Sequence, residues 1–146
     1  MAKVLSIRPP WSIWIIYGSK DVENRVWRYP PKYRGRLYIH CSKKTDTSAV
    51  VPILVDKIKE LQLINSNFGL GKISDVAGAI IGYVELDDIR RGDIDSPWYT
   101  GDLGLILSNP QPLAKPVPWR GQLGIFNAPD EVLEAANRER IKQEAR

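Results

Sequence analysis

Three side chains that can bind an anion or transfer a proton lie close together near the start of the chain. Lys20, Glu23 and Arg25 fall within the run GSKDVENR, which spans Gly18 to Arg25. In an extended segment, residues two apart share a face, so Glu23 and Arg25 point the same way. A lysine supplies a point charge, and an arginine can bind a phosphate or a base edge through two hydrogen bonds. The run therefore predicts a ligand site, and a plain structural salt bridge is the alternative.

Aromatic residues accompany this motif. Trp11 precedes it, and Tyr99 lies in a later loop, next to Trp98. Aromatic rings stack on nucleobases, and each stacked base contributes about 1–3 kcal/mol. We count Trp11 and Tyr99 among the ligand-binding candidates, although tryptophans in small domains also serve as core residues.

Positive charge is concentrated in the first 44 residues. They hold ten Lys and Arg against two acidic residues, a net charge of +8, whereas the other 102 residues carry −4. Such an asymmetry indicates a surface that binds a polyanion. A solvated basic face is the alternative. The predicted phosphate contacts are Arg28, Lys32, Arg34, Arg36, Lys43 and Lys44.

The hydrophobic pattern predicts the elements that position these residues. Pro9 and Pro10 suit the first turn of a short apolar helix that ends at Gly18. Further helices are expected from Thr47 or Ser48 to Leu63 and from about Asp130 onward. The strands are expected at residues 4–8, 21–27, 35–41, 77–86, 103–107 and 122–126. The sum predicts an α+β fold, a small mixed β-barrel with about three flanking helices.

Length and composition limit the alternatives. A chain of 146 residues with 43% hydrophobic residues predicts one domain, residues 1–146. One cysteine, Cys41, and one histidine, His40, exclude an internal disulfide and a zinc site built from Cys and His. We expect no metal and no cofactor. Lacking a signal peptide or a membrane-length apolar run, the chain is expected to be cytoplasmic.

Three motifs in order resemble the ASCH family of the PUA-like superfamily. They are LSIRPPW at residues 5–11, the pattern GxKxxExR at residues 18–25 and RGRLYIH at residues 34–40. The strand at residues 82–86 and the Arg120-Gly121 turn agree in outline. The resemblance implies a PUA-like barrel with a cleft beside its first helices, lined by Gly18, Lys20, Glu23 and Arg25.

The resemblance also implies a function. PUA-like relatives bind RNA or modified bases, so we expect a domain that binds RNA or other single-stranded or structured nucleic acid. A small hydrolase is the alternative, since some ASCH-type proteins are amidohydrolases acting on N4-acetylcytidine and others have been proposed as ribonucleases. Lys20 and Glu23 would then be the catalytic residues. The amidohydrolase branch has a threonine nucleophile at the position of Glu23, and a carboxylate cannot replace that hydroxyl. A protein-interaction role for residues 130–146 is the third hypothesis.

Overall fold

A computed structural model describes residues 1–46 and 75–144, with side chains to residue 138. Six strands and two helices are present in these residues. The strands are β1 (Ala2–Ile7), β2 (Val22–Arg25), β3 (Gly35–Cys41), β4 (Ala79–Arg91), β5 (Leu103–Pro118) and β6 (Ile125–Ala128). The helices are α1 (Trp11–Tyr17) and α2 (Asp130–Glu144). The described residues thus contain two helices where about three were predicted, and the helix expected from Thr47 or Ser48 to Leu63 lies outside them.

The strands form one mixed sheet in the order β2-β5-β4-β3-β1-β6. Among the strands of the described residues, only the β1–β3 pair is parallel. The prediction of a closed barrel is wrong, because β2 and β6 are free edges with no ladder between them in the described residues. β6 pairs with β1 only as far as Leu5, and the guanidinium of Arg25 on β2 reaches the next carbonyl, that of Ser6. The sheet therefore curls until its edges approach, and a side chain spans the gap.

β5 extends eleven residues beyond the strand predicted at residues 103–107. Four prolines follow residue 107, and proline cannot donate to a ladder. Beyond Ile106, however, β5 has lost its partner β2 and pairs with β4 alone, with Pro112 opposite Gly82. Prolines are tolerated on such a one-sided strand because their missing N–H groups need not face a partner.

α1 fixes the position of the predicted ligand motif. Its residues Trp14, Ile15 and Ile16 are buried against one face of the sheet, where they meet Leu37 and Leu105. This burial anchors a helix of only seven residues, which would not be stable alone. Trp11 is therefore held at the start of α1, and the run from Gly18 to Arg25 leaves its end in a fixed direction.

The opposite face of the sheet has its own apolar cluster. It contains Tyr38, Tyr83, Leu113, Phe126 and Leu133, and Leu133 is contributed by α2. One helix therefore covers each face of the sheet in the described residues.

Gly82 is predicted to be intolerant of a side chain. A Cβ at this position would lie 2.5 Å from the carbonyl oxygen of Gln111 on β5 and 2.8 Å from Cγ2 of Ile16 on α1. Gly82→Ala should lower the free energy of unfolding by about 1–3 kcal/mol, because the β4–β5 ladder and α1 must separate. Chemical denaturation measures this change. An unchanged midpoint and slope would show that the two strands are not held this close.

Candidate functional site

A cleft of about 590 Å³ opens where α1, β2 and the segment between β5 and β6 meet. Its volume falls within the range of small-molecule sites, about 300–1,000 Å³. The cations Arg8, Lys20 and Arg25 line it together with two acidic residues, Glu23 and Asp46. Its other lining residues are Ser6, Ile7, Trp11, Asn24, Ser42, Trp98, Thr100, Gln122, Leu123 and Gly124.

Lys20 is a buried cation within the wall of this cleft. The residue is 5% exposed, and its ammonium donates to the carbonyl of Val22 and to Oε1 of Glu23, 3.5 Å away. The ammonium nitrogen also lies 5.8 Å from the ring centroid of Trp11 and 5.9 Å from that of Trp98. Burial lowers the pKa of Lys20, and the Glu23 carboxylate opposes that shift. Lys20 is thus held as one partner of a buried ion pair.

Glu23 joins both cations of the motif. Its carboxylate is buried, with Oε1 facing Lys20 and Oε2 lying 3.4 Å from Nη2 of Arg25. The same Nη2 donates to the carbonyl of Ser6 at 2.9 Å. Nε of Arg25 is buried and has no acceptor among the described residues. Because buried donors are nearly always satisfied, this nitrogen marks a place where a ligand oxygen or ring nitrogen would fit.

A cluster of three tryptophans supports the cleft. Trp14 is fully buried, and its ring centroid lies 5.6 Å from that of Trp11 and 5.4 Å from that of Trp98. Trp11 is only partly buried, and its indole N–H donates to Asp46 at 3.1 Å. Asn24 holds the Trp98 segment by donating to the Trp98 carbonyl at 2.9 Å. Trp11 is therefore a rigid ring with surface available at the cleft.

Tyr99 does not line the cleft, unlike its neighbour Trp98. The Tyr99 hydroxyl accepts from the N–H of Gly92 at 2.8 Å and donates to the carbonyl of Asp102. It thus ties its own loop together. Tyr99 and Trp98 point different ways, and a loop has no side-chain period from which the sequence could predict which residue faces the ligand.

The remaining predicted residues lie outside the cleft. Gly18 lines a separate small cavity behind Lys20. Arg28 and Arg36 stack on Tyr29 and Tyr83, at 5.3 Å and 4.2 Å from the ring centroids, and Arg34 approaches Asp88 at 3.5 Å. Lys43 lines a neighbouring cavity, and Lys44 is exposed. The part that each plays in binding stays a prediction.

Several cleft residues were not among the predicted site residues. Ser6 comes from β1, and Asp46 lies beyond β3. Gln122 and Leu123 lie in the connection between β5 and β6, a region expected to be a strand, where Leu123 is fully exposed. Only the pairing of β6 with β1 brings this connection to the cleft, and no local pattern carries that information.

A second cavity of about 920 Å³ adjoins the cleft, and His40 lines it. The residue is 2% exposed. Its Nε2 lies 2.7 Å from the carbonyl oxygen of Trp119, so Nε2 carries the proton and donates to that oxygen. Nδ1 of the neutral ring then accepts from the hydroxyl of Ser6 at 2.8 Å. His40 thus fixes the orientation of a hydroxyl that belongs to both cavities.

Burial lowers the pKa of His40 below its ordinary value of 6.5, although the carbonyls of Trp119 and Gly78 oppose the shift. The unfolded chain therefore takes up a proton first as the pH falls. Stability should be complete above about pH 6.5 and should be lost as the pH falls from there toward the folded-state pKa. We expect a lower Tm at about pH 5.5 than at about pH 7.5.

The substitution His40→Asn removes the only histidine of the chain and should flatten this pH dependence of Tm. An equally steep dependence in the variant would assign the titration to another group.

Among residues 1–46 and 75–144, no helix is long and apolar enough to cross a membrane. No group of three or more His, Cys, Asp or Glu side chains comes together among them as a set of metal ligands.

Comparison with known proteins identifies the family. Residues 5–102 match the model of the ASCH domain. The chain is 27% identical over 158 residues to activating signal cointegrator 1 from Homo sapiens, in an alignment that covers 95% of this chain and 24% of that protein. The chain therefore spans about a quarter of the length of this curated relative.

Solved structures show the same fold. The crystal structure of ASCH from Zymomonas mobilis matches with a TM-score of 0.52 and 15% identity, over 97% of this chain and 94% of that one. A single-residue mutant of the same protein matches with a TM-score of 0.51 and 16% identity, over 97% and 96% of the two chains. At such identities the likeness concerns the fold alone. Because the family model covers about two thirds of its length, the chain belongs to the ASCH domain family.

Proposed function

We propose that this protein binds nucleic acid and places one unpaired base or chain end in the cleft around Lys20, Glu23 and Arg25. One observation carries the proposal. A nucleotide-sized cleft combines the partly exposed ring of Trp11 with the buried cation Lys20 and the half-buried cation Arg25, whose Nε has no acceptor among the described residues. Stacking and charge-assisted hydrogen bonding are the two interactions that hold a single nucleotide.

The geometry suggests a role for each side chain. The base stacks on Trp11, whose indole is fixed by Asp46 and by the tryptophans behind it. Nε of Arg25 donates to an acceptor on the base or on its phosphate. Glu23 holds Lys20 and Arg25 in place, because each of its oxygens faces one of the two cations.

An unpaired nucleotide fits this arrangement better than a duplex. Bases in a helix are stacked on their neighbours and cannot enter a walled cleft, whereas splayed bases of loops, ends and single strands can. Phosphates flanking the bound nucleotide would meet the basic side chains of residues 1–44, of which Arg28, Arg34, Lys43 and Lys44 are the proposed contacts. The net charge of +8 in residues 1–44 supports the proposal that these side chains contact phosphates. Arg36 stacks on Tyr83, in the apolar cluster of the opposite face, and would meet only more distant phosphates.

The hydrolase alternative has weaker support. The pKa of Lys20 is lowered, and lysines that act as acid–base catalysts commonly have a lowered pKa. However, the Lys20 ammonium donates to two acceptors and both oxygens of Glu23 face cations, so the contacts of both groups are those of a buried ion pair.

The binding proposal is tested by affinity for short single-stranded RNA and DNA, a hairpin RNA and a duplex DNA at about 50 and 200 mM salt. Binding should be strongest for ligands with unpaired nucleotides. It should weaken with salt at a slope of about 0.7 per contacted phosphate of a single strand. Arg25→Ala should weaken it about tenfold, as expected for one charge-assisted contact.

Arg138→Ala is the matched control for Arg25→Ala. Arg138 is an exposed arginine on α2, paired with Glu134 and outside the cleft. Arg138→Ala removes the same charge as Arg25→Ala. Its affinity for nucleic acid should stay within about twofold of the unmodified protein's, because salt screens a charge that lies far from the ligand. No binding of any nucleic acid at low salt would contradict the proposed function.

A further inference from the structure

The cleft and the second cavity are two parts of one groove. They share the wall residues Ser6, Ser42, Gln122 and Leu123. The cavities measure about 590 and 920 Å³. Since a site of several hundred Å³ already encloses a drug-sized ligand, the groove offers more room than one nucleotide fills.

The second cavity differs from the cleft in its charges. Lys43 and Arg120 line it, both are exposed, and no acidic residue is found among its described lining residues. The cleft, in contrast, carries Glu23 and Asp46 beside its cations. The second cavity also exposes part of Trp119. Cations beside an aromatic ring are what the backbone and base of a further nucleotide require.

The wall between the cavities is mostly polar. Its hydroxyl groups come from Ser6 and Ser42, and Oγ of Ser42 is buried without a hydrogen-bond partner in the described part of the chain. A Cβ at Gly121 would lie 2.9 Å from Cε1 of His40 and 3.0 Å from Oγ of Ser6, so the connection between β5 and β6 rests directly on this wall. Leu123, two residues further along this connection, is fully exposed to solvent.

We propose that the groove binds a single-stranded oligonucleotide, with one nucleotide in the cleft and the adjoining nucleotide in the second cavity. The linking phosphate crosses the shared wall, where Ser42 donates to it, and the next phosphate lies between Lys43 and Arg120. This inference rests on the proposed function and goes beyond it, because it makes the ligand a chain of at least two nucleotides and not a free nucleoside or mononucleotide.

The experiment compares uridine 5′-monophosphate with oligouridylates of two, three and four nucleotides by tryptophan fluorescence. Affinity should rise about tenfold or more from one nucleotide to two, since a second stacked base and a second phosphate are engaged. Lys43→Ala combined with Arg120→Ala should remove most of this gain. It should also lower the salt slope for the tetranucleotide by about 1 to 1.5 and leave the affinity for the mononucleotide within about twofold.

The control combines Lys115→Ala with Arg138→Ala, which removes the same charges outside both cavities. It should retain the gain from one nucleotide to two, and equal Tm values would show that both double variants fold. The inference is overturned if the dinucleotide binds no more tightly than the mononucleotide, or if the Lys43 and Arg120 substitutions weaken the binding of ligands of every length equally. In either case, the proposed binding of one nucleotide in the cleft would still stand. If neither the mononucleotide nor any oligonucleotide binds, the proposed function fails as well.

Discussion

Glu23→Gln is expected to lower the free energy of unfolding by about 3 kcal/mol, because it leaves the buried Lys20 ammonium without its counter-charge. Lys20→Met should cost less, roughly 1–2 kcal/mol, since Arg25 still faces the Glu23 carboxylate and the methionine fills the same space. Urea denaturation of each variant measures these changes.

The double variant separates the ion pair from the packing. Lys20→Met combined with Glu23→Gln removes both charges and should be more stable than the sum of the single losses predicts, by about 1 kcal/mol or more. Strictly additive losses would contradict a direct interaction between Lys20 and Glu23. The 3.5 Å approach of the two groups would then contribute nothing to stability.

Trp11→Leu is expected to have the largest effect on binding. Removing the ring should cost about 1–3 kcal/mol for the base that it stacks on, which is roughly a 5- to 150-fold rise in Kd. Leucine keeps an apolar residue at the start of α1, where Trp11 meets Trp14, so the fold should persist. Fluorescence anisotropy of a labelled oligonucleotide measures the affinity without relying on the tryptophan signal.

Tyr29→Leu provides the comparison for Trp11→Leu. Tyr29 is 80% exposed, lies outside both cavities and stacks with Arg28. Its removal should change Kd by less than about twofold if stacking occurs only in the cleft. Equal losses in both variants would place the nucleic acid on the outer basic surface instead.

Local sequence patterns predict most of the elements near the site. The Pro-Pro start, the apolar run and Gly18 give α1 its observed bounds, and the alternation from Gly35 to Cys41 gives β3. Each of these signals is local, because caps and side-chain periods depend only on neighbours in the chain.

Two features that local sequence patterns do not predict, the open sheet and the length of β5, depend on the pairing of strands that are distant in the chain. Whether the sheet is open depends on which strands form its edges. The proline-rich end of β5 can be a strand because β2 pairs only with Leu103 to Ile106 and leaves the rest of β5 with one neighbour. A strand pattern shows that a segment is extended but not which neighbour it has. The barrel that both the element pattern and the family resemblance predict is therefore wrong in its closure.

The candidate site shows the same division between local and non-local information. The spacing of Lys20, Glu23 and Arg25 predicts their shared cluster, which the structure brings together in the cleft. Ser6, Asp46 and the 122–124 connection reach that cleft from distant parts of the chain. Their contribution depends on the pairing of β1 with β3 and β6, which short motifs do not encode.

The indole N–H signals of the five tryptophans in a proton–nitrogen NMR spectrum test the central claim most directly. On titration with a short single-stranded RNA, the Trp11 signal should shift strongly and saturate, because its N–H bonds to Asp46 at the wall of the cleft. The signal of Trp27, which lines neither cavity but whose ring centroid lies 5.4 Å from the guanidinium of Arg25, should shift less than that of Trp11. Saturable binding that leaves the Trp11 signal unmoved would contradict the account, because the nucleic acid would then lie elsewhere on the surface.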